Sequence, residues 1–206
     1  MKLWSSTTSP FVRKVRAVAA HHGLSGQIGL LTVKSSFDPA SPHNQDNPLG
    51  RVPALQLDSG EWLYGSTLIA EYLDSLGGAE TLFPKDGRRW RVLALHSLAE
   101  GLLENTIPII AEKMLRPENE WWTSRYAQLQ ARNAKTMPAL FEAAKAFGFE
   151  LNIGTINAVC AVQFLLFRSN LTEAGKLPHM QELQVWAEEM CKRYECLEST
   201  KPYAAA

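Results

Sequence analysis

The spacing of apolar and polar residues changes character once along the chain, near residue 78. Before that point, short apolar runs bounded by turn residues are interleaved with helical spacings. Residues 1–4 form a brief apolar start, and residues 5–9, Ser-Ser-Thr-Thr-Ser, break it. Pro10 behind Ser9 is a helix-start signal, because a first-turn N–H has no partner to lose. Phe11, Val12, Val15, Val18 and Ala19 then keep to one helical face until Gly23. Residues 27–33 read as a second strand, so the chain opens as a βαβ unit with parallel strands. Residues 34–47, rich in Ser, Pro, Asn and Asp, read as a loop with room for one helical turn. Residues 52–58 and 61–64 form a hairpin about Asp58-Ser59-Gly60, with Pro53 inside the first strand. Ser66 is the expected cap of a helix carrying Leu68, Ile69, Tyr72, Leu73 and Leu76, closed by Gly77 and Gly78.

Beyond residue 87 no segment has the period of a strand. Residues 88–115 and 118–147 read as long helices, with Pro108 and Pro138 as sites for a bend. Asn152 is placed to cap a further helix, with Leu151 and Ile156 at the two positions of a hydrophobic staple. That helix, over 153–167, is apolar on nearly every side and so belongs at the centre of a bundle. Residues 178–198 supply one or two more. The expected architecture is an α/β domain of order βαβ-ββα over residues 1–77, a linker over 78–87, and an all-helical domain over 88–206.

Charge and cysteine usage narrow the function class. Lys plus Arg and Asp plus Glu both number 21, so the basic excess typical of chains that bind nucleic acid or anionic membranes is missing. Neutrality also mildly favours self-association. Apolar stretches such as 158–167 are interrupted and too short to span a bilayer, and no long apolar segment follows the start as a secretory leader would. The three cysteines, Cys160, Cys191 and Cys196, are odd in number and form no CxxC pair. They read as free thiols in a reducing cytoplasm, with Cys160 a core residue, and not as a disulfide scaffold or a metal site.

Three segments in order carry a resemblance. They are Thr8-Ser9-Pro10-Phe11-Val12-Arg13-Lys14, Asn47-Pro48-Leu49-Gly50-Arg51-Val52-Pro53, and Tyr64-Gly65-Ser66-Thr67-Leu68-Ile69-Ala70-Glu71-Tyr72-Leu73. Together they resemble the cytosolic glutathione transferase superfamily, in its bacterial-type branch with a Ser-Pro-Phe turn. The resemblance covers essentially the whole chain. It implies a thioredoxin-like first domain, a helical second domain, glutathione as substrate or cofactor, no metal, a homodimer, and a cytoplasmic location.

The chemistry such a protein needs is simple. A thiol with a pKa of about 8.5 is mostly protonated at neutral pH. A hydroxyl donor and a helix N-terminus both stabilise the thiolate, and one pKa unit takes only about 1.4 kcal/mol. Ser9 is the first choice of donor, with Ser5, Thr7 and Thr8 as rivals on the same turn; as a residue, Ser9 is equally an ordinary helix cap. A cysteine occupies this place in thiol-exchanging relatives, so its absence argues against a mixed disulfide with the protein. The resemblance implies a cis bond at Val52–Pro53 that presents the Val52 backbone to the cysteinyl part of glutathione. Ser66 and the amides behind it suit the γ-glutamyl carboxylate, and Arg51 the glycyl carboxylate. Asn47 reads as shaping the turn before Pro48.

Gly65 departs from the pattern. The family usually has Glu, Gln or Asp before this serine, in contact with the γ-glutamyl end, and glycine has no side chain to offer. Glu100 or Glu104 of a partner subunit could compensate, although their i,i+4 spacing is equally that of a solvated face. The second-substrate candidates are Phe11, His96, Leu103 and Ile107, with Ile110 and Met114 continuing the same stripe, a pattern that also serves plain core packing. Trp121-Trp122 offers apolar area for a pocket wall or a contact. His21 and His22 close a helix. The leading reading is an enzyme joining glutathione to a small hydrophobic electrophile. The alternatives are a non-catalytic transferase-like binding protein, favoured by Gly65, and an isomerase or reductive enzyme using glutathione.

Overall fold

The computed structural model describes residues 1–33, 35 and 37–202. Lys34 and Ser36 of the expected loop, and residues 203–206 of the expected helical domain, lie outside the described residues. The chain divides into two compact units.

The first unit comprises Met1–Phe83 and the described residues from Tyr194 on. Its elements are β1 (Lys2–Ser5), α1 (Pro10–His21), β2 (Gly29–Thr32), α2 (His43–Asp46), β3 (Ala54–Gln56), β4 (Trp62–Tyr64) and α3 (Ser66–Leu76). The sheet runs in the order β2-β1-β3-β4, with β1 and β2 parallel and the other pairs antiparallel. This is the thioredoxin-like arrangement expected. One face of α1 (Val12, Val15, Val18) and one of α3 (Ile69, Ala70, Leu73) are buried, and the two helices pack together. The strand expected over 27–33 is shorter, because Ser25–Gln27 forms a tight 3-10 turn before it. The hairpin forms about Gly60, whose φ of 91° suits glycine.

The tail groups with this unit and not with the helices that precede it. The last helix, Glu195–Glu198, buries Cys196 and Leu197 and packs on α1. There Arg13 Nη2 donates to the Leu197 carbonyl at 3.2 Å. The apolar residues that decide the matter find their partners on α1, which residue spacing alone does not reveal.

The second unit, Pro84–Arg193, is helical. It contains α4 (Arg89–Leu115), α5 (Thr123–Phe147), α6 (Ile153–Phe167), α7 (Ser169–Thr172) and α8 (Met180–Arg193), after which the Glu195–Glu198 helix is α9. α6 is buried continuously from Ile153 to Val162 and packs on α4, α5 and α8, as its apolar circumference requires. Asn152 caps it in a reciprocal box: its Oδ1 accepts from the Thr155 N–H, and Thr155 Oγ1 accepts from the Asn152 N–H, each at 3.0 Å. Gly154 lets α6 approach α4, since a Cβ there would lie 2.5 Å from the Val92 carbonyl oxygen. α5 starts at Thr123, later than the expected 118. Glu118–Glu120 is a 3-10 turn followed by extended Trp121, held where Glu112 accepts the Trp122 N–H at 2.6 Å and Trp121 Nε1 donates to the Arg116 carbonyl at 3.1 Å. The same backbone N–H holds the Glu112 carboxyl below its ordinary pKa. The three cysteines are buried, and none is in a disulfide. Among the described residues no helix is long and apolar enough to cross a membrane.

Candidate functional site

The strand register of the first unit gathers the three sequence segments. Ala54 pairs with Trp4 on one side and Tyr64 on the other, so Val52–Pro53 leads into the strand beside the one that ends at Gly65. Val12, in the first turn of α1, shares a buried cluster with Val33 and Val52, against which Trp4 packs. Residue 9, the 52–53 bond and the start of α3 therefore lie around one end of the sheet.

Ser9 is the N-cap of α1, with φ −77° and ψ 123°, and its Oγ accepts from the Val12 N–H at 3.3 Å. Accepting that bond leaves the Ser9 O–H able to donate. Its rivals are placed differently. Ser5 is buried at the end of β1, the Ser6 and Thr8 hydroxyls lie 3.3 Å apart, and Thr7 and Thr8 are half-buried. Phe11, next along, is half-buried.

The Val52–Pro53 bond is cis. The turn before it is built by Asn47, whose Oδ1 accepts from the Leu49 N–H at 2.9 Å while its Nδ2 donates to the Arg51 carbonyl at 2.6 Å. Asn47 is thus a turn-builder, and Arg51 is exposed. Sequence reasoning missed the anchor of this loop. Trp4 Nε1 donates to Asp46 Oδ2 at 2.8 Å, and the Tyr64 hydroxyl donates to the Asp46 carbonyl at 3.1 Å. These bonds span 42 and 18 residues, and no local pattern encodes them.

At the third segment the cap assignment is corrected. Gly65, not Ser66, is the N-cap of α3, and Ser66 is its first residue. The cause is the Gly65 backbone: φ 87° and ψ 127° turn the chain from β4 into the helix, and the Gly65 carbonyl accepts the first helical bond, from the Ile69 N–H at 3.1 Å. Side chains rarely tolerate that φ, so glycine suits the turn. Among the described residues no atom beyond its chain neighbours lies within 4 Å of where its Cβ would be. Ser66 is buried in the first turn of the helix. A buried lysine also reaches this point: Lys14 of α1 is wholly unexposed, and its Nζ donates to Thr67 Oγ1 at 3.3 Å. Its spacing of four from both Pro10 and Val18 was the available signal.

The second-substrate candidates of the helical unit all lie on α4. His96 is buried, with Nε2 3.9 Å from Glu100 Oε2; Leu103 is fully buried, and Ile107 is half-buried. Glu100 also accepts from Asn157 Nδ2 at 3.0 Å, so its carboxylate is engaged within its own unit, whereas Glu104 is exposed. Trp122 is exposed and Trp121 half-buried. His22 Nε2 pairs with Asp74 Oδ1 at 2.9 Å, tying the end of α1 to α3. Among the described residues no group of three or more His, Cys, Asp or Glu could hold a metal ion.

Comparison with known proteins adds to this geometry. A family model for the glutathione S-transferase N-terminal domain matches residues 8–76. The uncharacterized GST-like protein YibF of Escherichia coli (strain K12) is 30% identical over 178 residues, covering 82% of this chain and 83% of that protein. A glutathione transferase family member from Pseudomonas fluorescens Pf-5, solved with bound glutathione, superposes with a TM-score of 0.88 at 31% identity, covering 98% of this chain and 99% of that one. A glutathione S-transferase from Methylobacillus flagellatus KT, also with glutathione bound, gives 0.81 at 28% identity over 98% and 99% of the two chains.

Proposed function

The chain belongs to the glutathione transferase superfamily, and on that footing we propose that it binds glutathione at the sheet end of its first unit and joins it to a small hydrophobic electrophile. The Ser9 O–H donates to the glutathione thiolate, and the N-terminus of α1 adds its partial positive charge. The Val52 backbone holds the cysteinyl part, the first turn of α3 at Ser66 takes the γ-glutamyl carboxylate, and Arg51 meets the glycyl carboxylate. The thiolate then attacks the electrophilic carbon. A C–S bond forms as the bond to the leaving group breaks, and the leaving group departs with the electron pair. Phe11, half-buried two residues after Ser9, is the first-unit candidate to meet the electrophile. The protein works in the cytoplasm as a homodimer and without a metal.

The observation that carries this reading is Ser9 itself. It is a half-buried cap whose Oγ accepts the Val12 N–H, one turn from the residue that packs on Val52 beside a cis Pro53. The test is turnover of glutathione with a chlorinated nitroaromatic. Activity that falls about tenfold in Ser9→Ala at neutral pH, and recovers as pH rises, is expected from the loss of one donor to a thiolate. Activity unchanged by the substitution would remove Ser9 from the chemistry.

Gly65 favours a second reading, a transferase-like binding protein that holds glutathione or a related ligand without turning it over. The open space where a Cβ would stand leaves the γ-glutamyl end without the usual side-chain contact. Binding of glutathione without turnover across a broad panel of electrophiles would select it.

A further inference from the structure

We propose that Trp4 is a positioning residue for glutathione, fastening both ends of the 46–52 loop so that the Val52 backbone and Arg51 stand in place before the ligand arrives; this rests on the glutathione-binding reading above. The backbone of Trp4 is held from two sides, since it pairs with Leu31 of β2 and Ala54 of β3. Its indole reaches the loop in two ways. Nε1 donates to Asp46 Oδ2 at 2.8 Å, a bond that the carboxylate charge strengthens. The ring packs on the buried cluster of Val12, Val33 and Val52. Asp46 is the last residue of α2, and Val52 is the residue before Pro53. One side chain therefore grips the loop where it begins and where it ends.

The loop passes that grip along its length. Asn47, next to Asp46, is buried; its Oδ1 accepts from the Leu49 N–H at 2.9 Å, and its Nδ2 donates to the Arg51 carbonyl at 2.6 Å. The Asn47 carbonyl accepts from the Gly50 N–H at 2.9 Å. Where Asp46 goes, Arg51 follows. α2 rests on the same indole, because the buried His43 ring meets Trp4 edge-on, with centroids 6.4 Å apart and 62° between the planes. The Tyr64 hydroxyl, on the Asp46 carbonyl at 3.1 Å, adds a tie to β4. The loop has little of its own to hold it, since Pro48, Leu49 and Arg51 are all exposed. A loop that must be ordered on binding subtracts that cost from affinity, whereas one already held in place does not.

The test is titration calorimetry of S-hexylglutathione on folded protein, run well below the melting transition of each variant. Trp4→Phe keeps an aromatic ring and removes the N–H, and is expected to weaken binding about tenfold. Asp46→Ala removes the acceptor and is expected to do the same. The double variant should bind no more weakly than either single one, because each removes the same bond. Asp46→Asn keeps an oxygen for the indole N–H and is expected to stay within about threefold of wild type. If Trp4→Phe does not fold, the contrast between Asp46→Ala and Asp46→Asn decides. Unchanged affinity in the folded variants would make the bond one of stability only and overturn the role. Losses that add in the double variant, or that are equal for Asp46→Asn and Asp46→Ala, would overturn it as well. Failure of the wild-type chain to bind S-hexylglutathione is a different outcome: it overturns the glutathione reading itself.

Discussion

The two units bury polar side chains for different ends. In the helical unit several buried polar groups serve a helix end or a contact between helices. Asn152 and Thr155 cap α6, Asn157 Nδ2 donates to the His96 carbonyl on α4 at 3.0 Å, and Asn133 Nδ2 donates to Thr106 Oγ1 at 3.1 Å. In the α/β unit buried Asn47 builds the loop before the cis bond, and buried Ser66 opens α3. Burying them is costly, and there the cost fixes a loop and a helix start. Polar burial along the helices joins helix to helix, whereas polar burial in the α/β unit shapes the segments proposed to hold glutathione. Substitutions in the two units should therefore separate stability from binding.

The largest effect is expected in the helical unit. In Gly154→Ala the new methyl meets the Val92 backbone oxygen at 2.5 Å and the Leu95 Cβ at 3.2 Å, neither the end of a flexible side chain. A loss of about 3 kcal/mol in denaturant unfolding is expected, with the glutathione affinity of the folded fraction unchanged. A parallel loss of affinity would break the separation.

Gly65→Glu tests the opposite corner. The positive φ should cost about 1–2 kcal/mol of stability. The restored carboxylate should nonetheless tighten glutathione if the γ-glutamyl ammonium lies there. Lower stability with no gain in affinity would mean that glycine costs the site nothing.

Next in size comes Ser9→Ala, with its roughly tenfold change in rate at neutral pH. Losing the cap should also lower stability by about 1 kcal/mol, so the rate must be read on folded protein.

The smallest effect belongs to Glu173, a left-handed residue at the end of α7 with φ 54°. Hydrogen bonds from Lys176 and then from Tyr126 pull its carboxyl down to about 2. A depressed carboxyl stabilises the fold above its unfolded value of 4.5, and that contribution is lost as pH falls from there towards 2. The group is partly exposed, with 37% of its side chain in solvent, which limits the contribution to a few tenths of a kcal/mol. Glu173→Gln should therefore be slightly less stable than wild type at pH 7. The gap should close below about pH 4 in thermal melts, and a gap that persists at pH 2 would contradict the assignment.

What could be read from sequence follows the range of the interaction that decides each feature. α6 was legible to its boundaries, because its cap and apolar circumference lie within 16 residues. The thioredoxin-like sheet of the first unit was legible through resemblance. The burial of Lys14 was passed over, since a charged residue on a helix is read as solvent-facing unless its spacing of four from Pro10 and Val18 is weighed. The Trp4–Asp46 anchor joins residues 42 apart and leaves no periodic trace. The Ser66 cap failed for a local reason: serine fits the side-chain preference of a cap, but the sharp turn out of β4 required the backbone freedom of the residue before it.

The most direct test of the whole account is a crystal structure grown with saturating glutathione. The account predicts the glutathione sulfur within hydrogen-bonding distance of Ser9 Oγ and the γ-glutamyl carboxylate on the first-turn amides of α3. Electron density that leaves this end of the sheet to solvent, or places the tripeptide elsewhere, would contradict it.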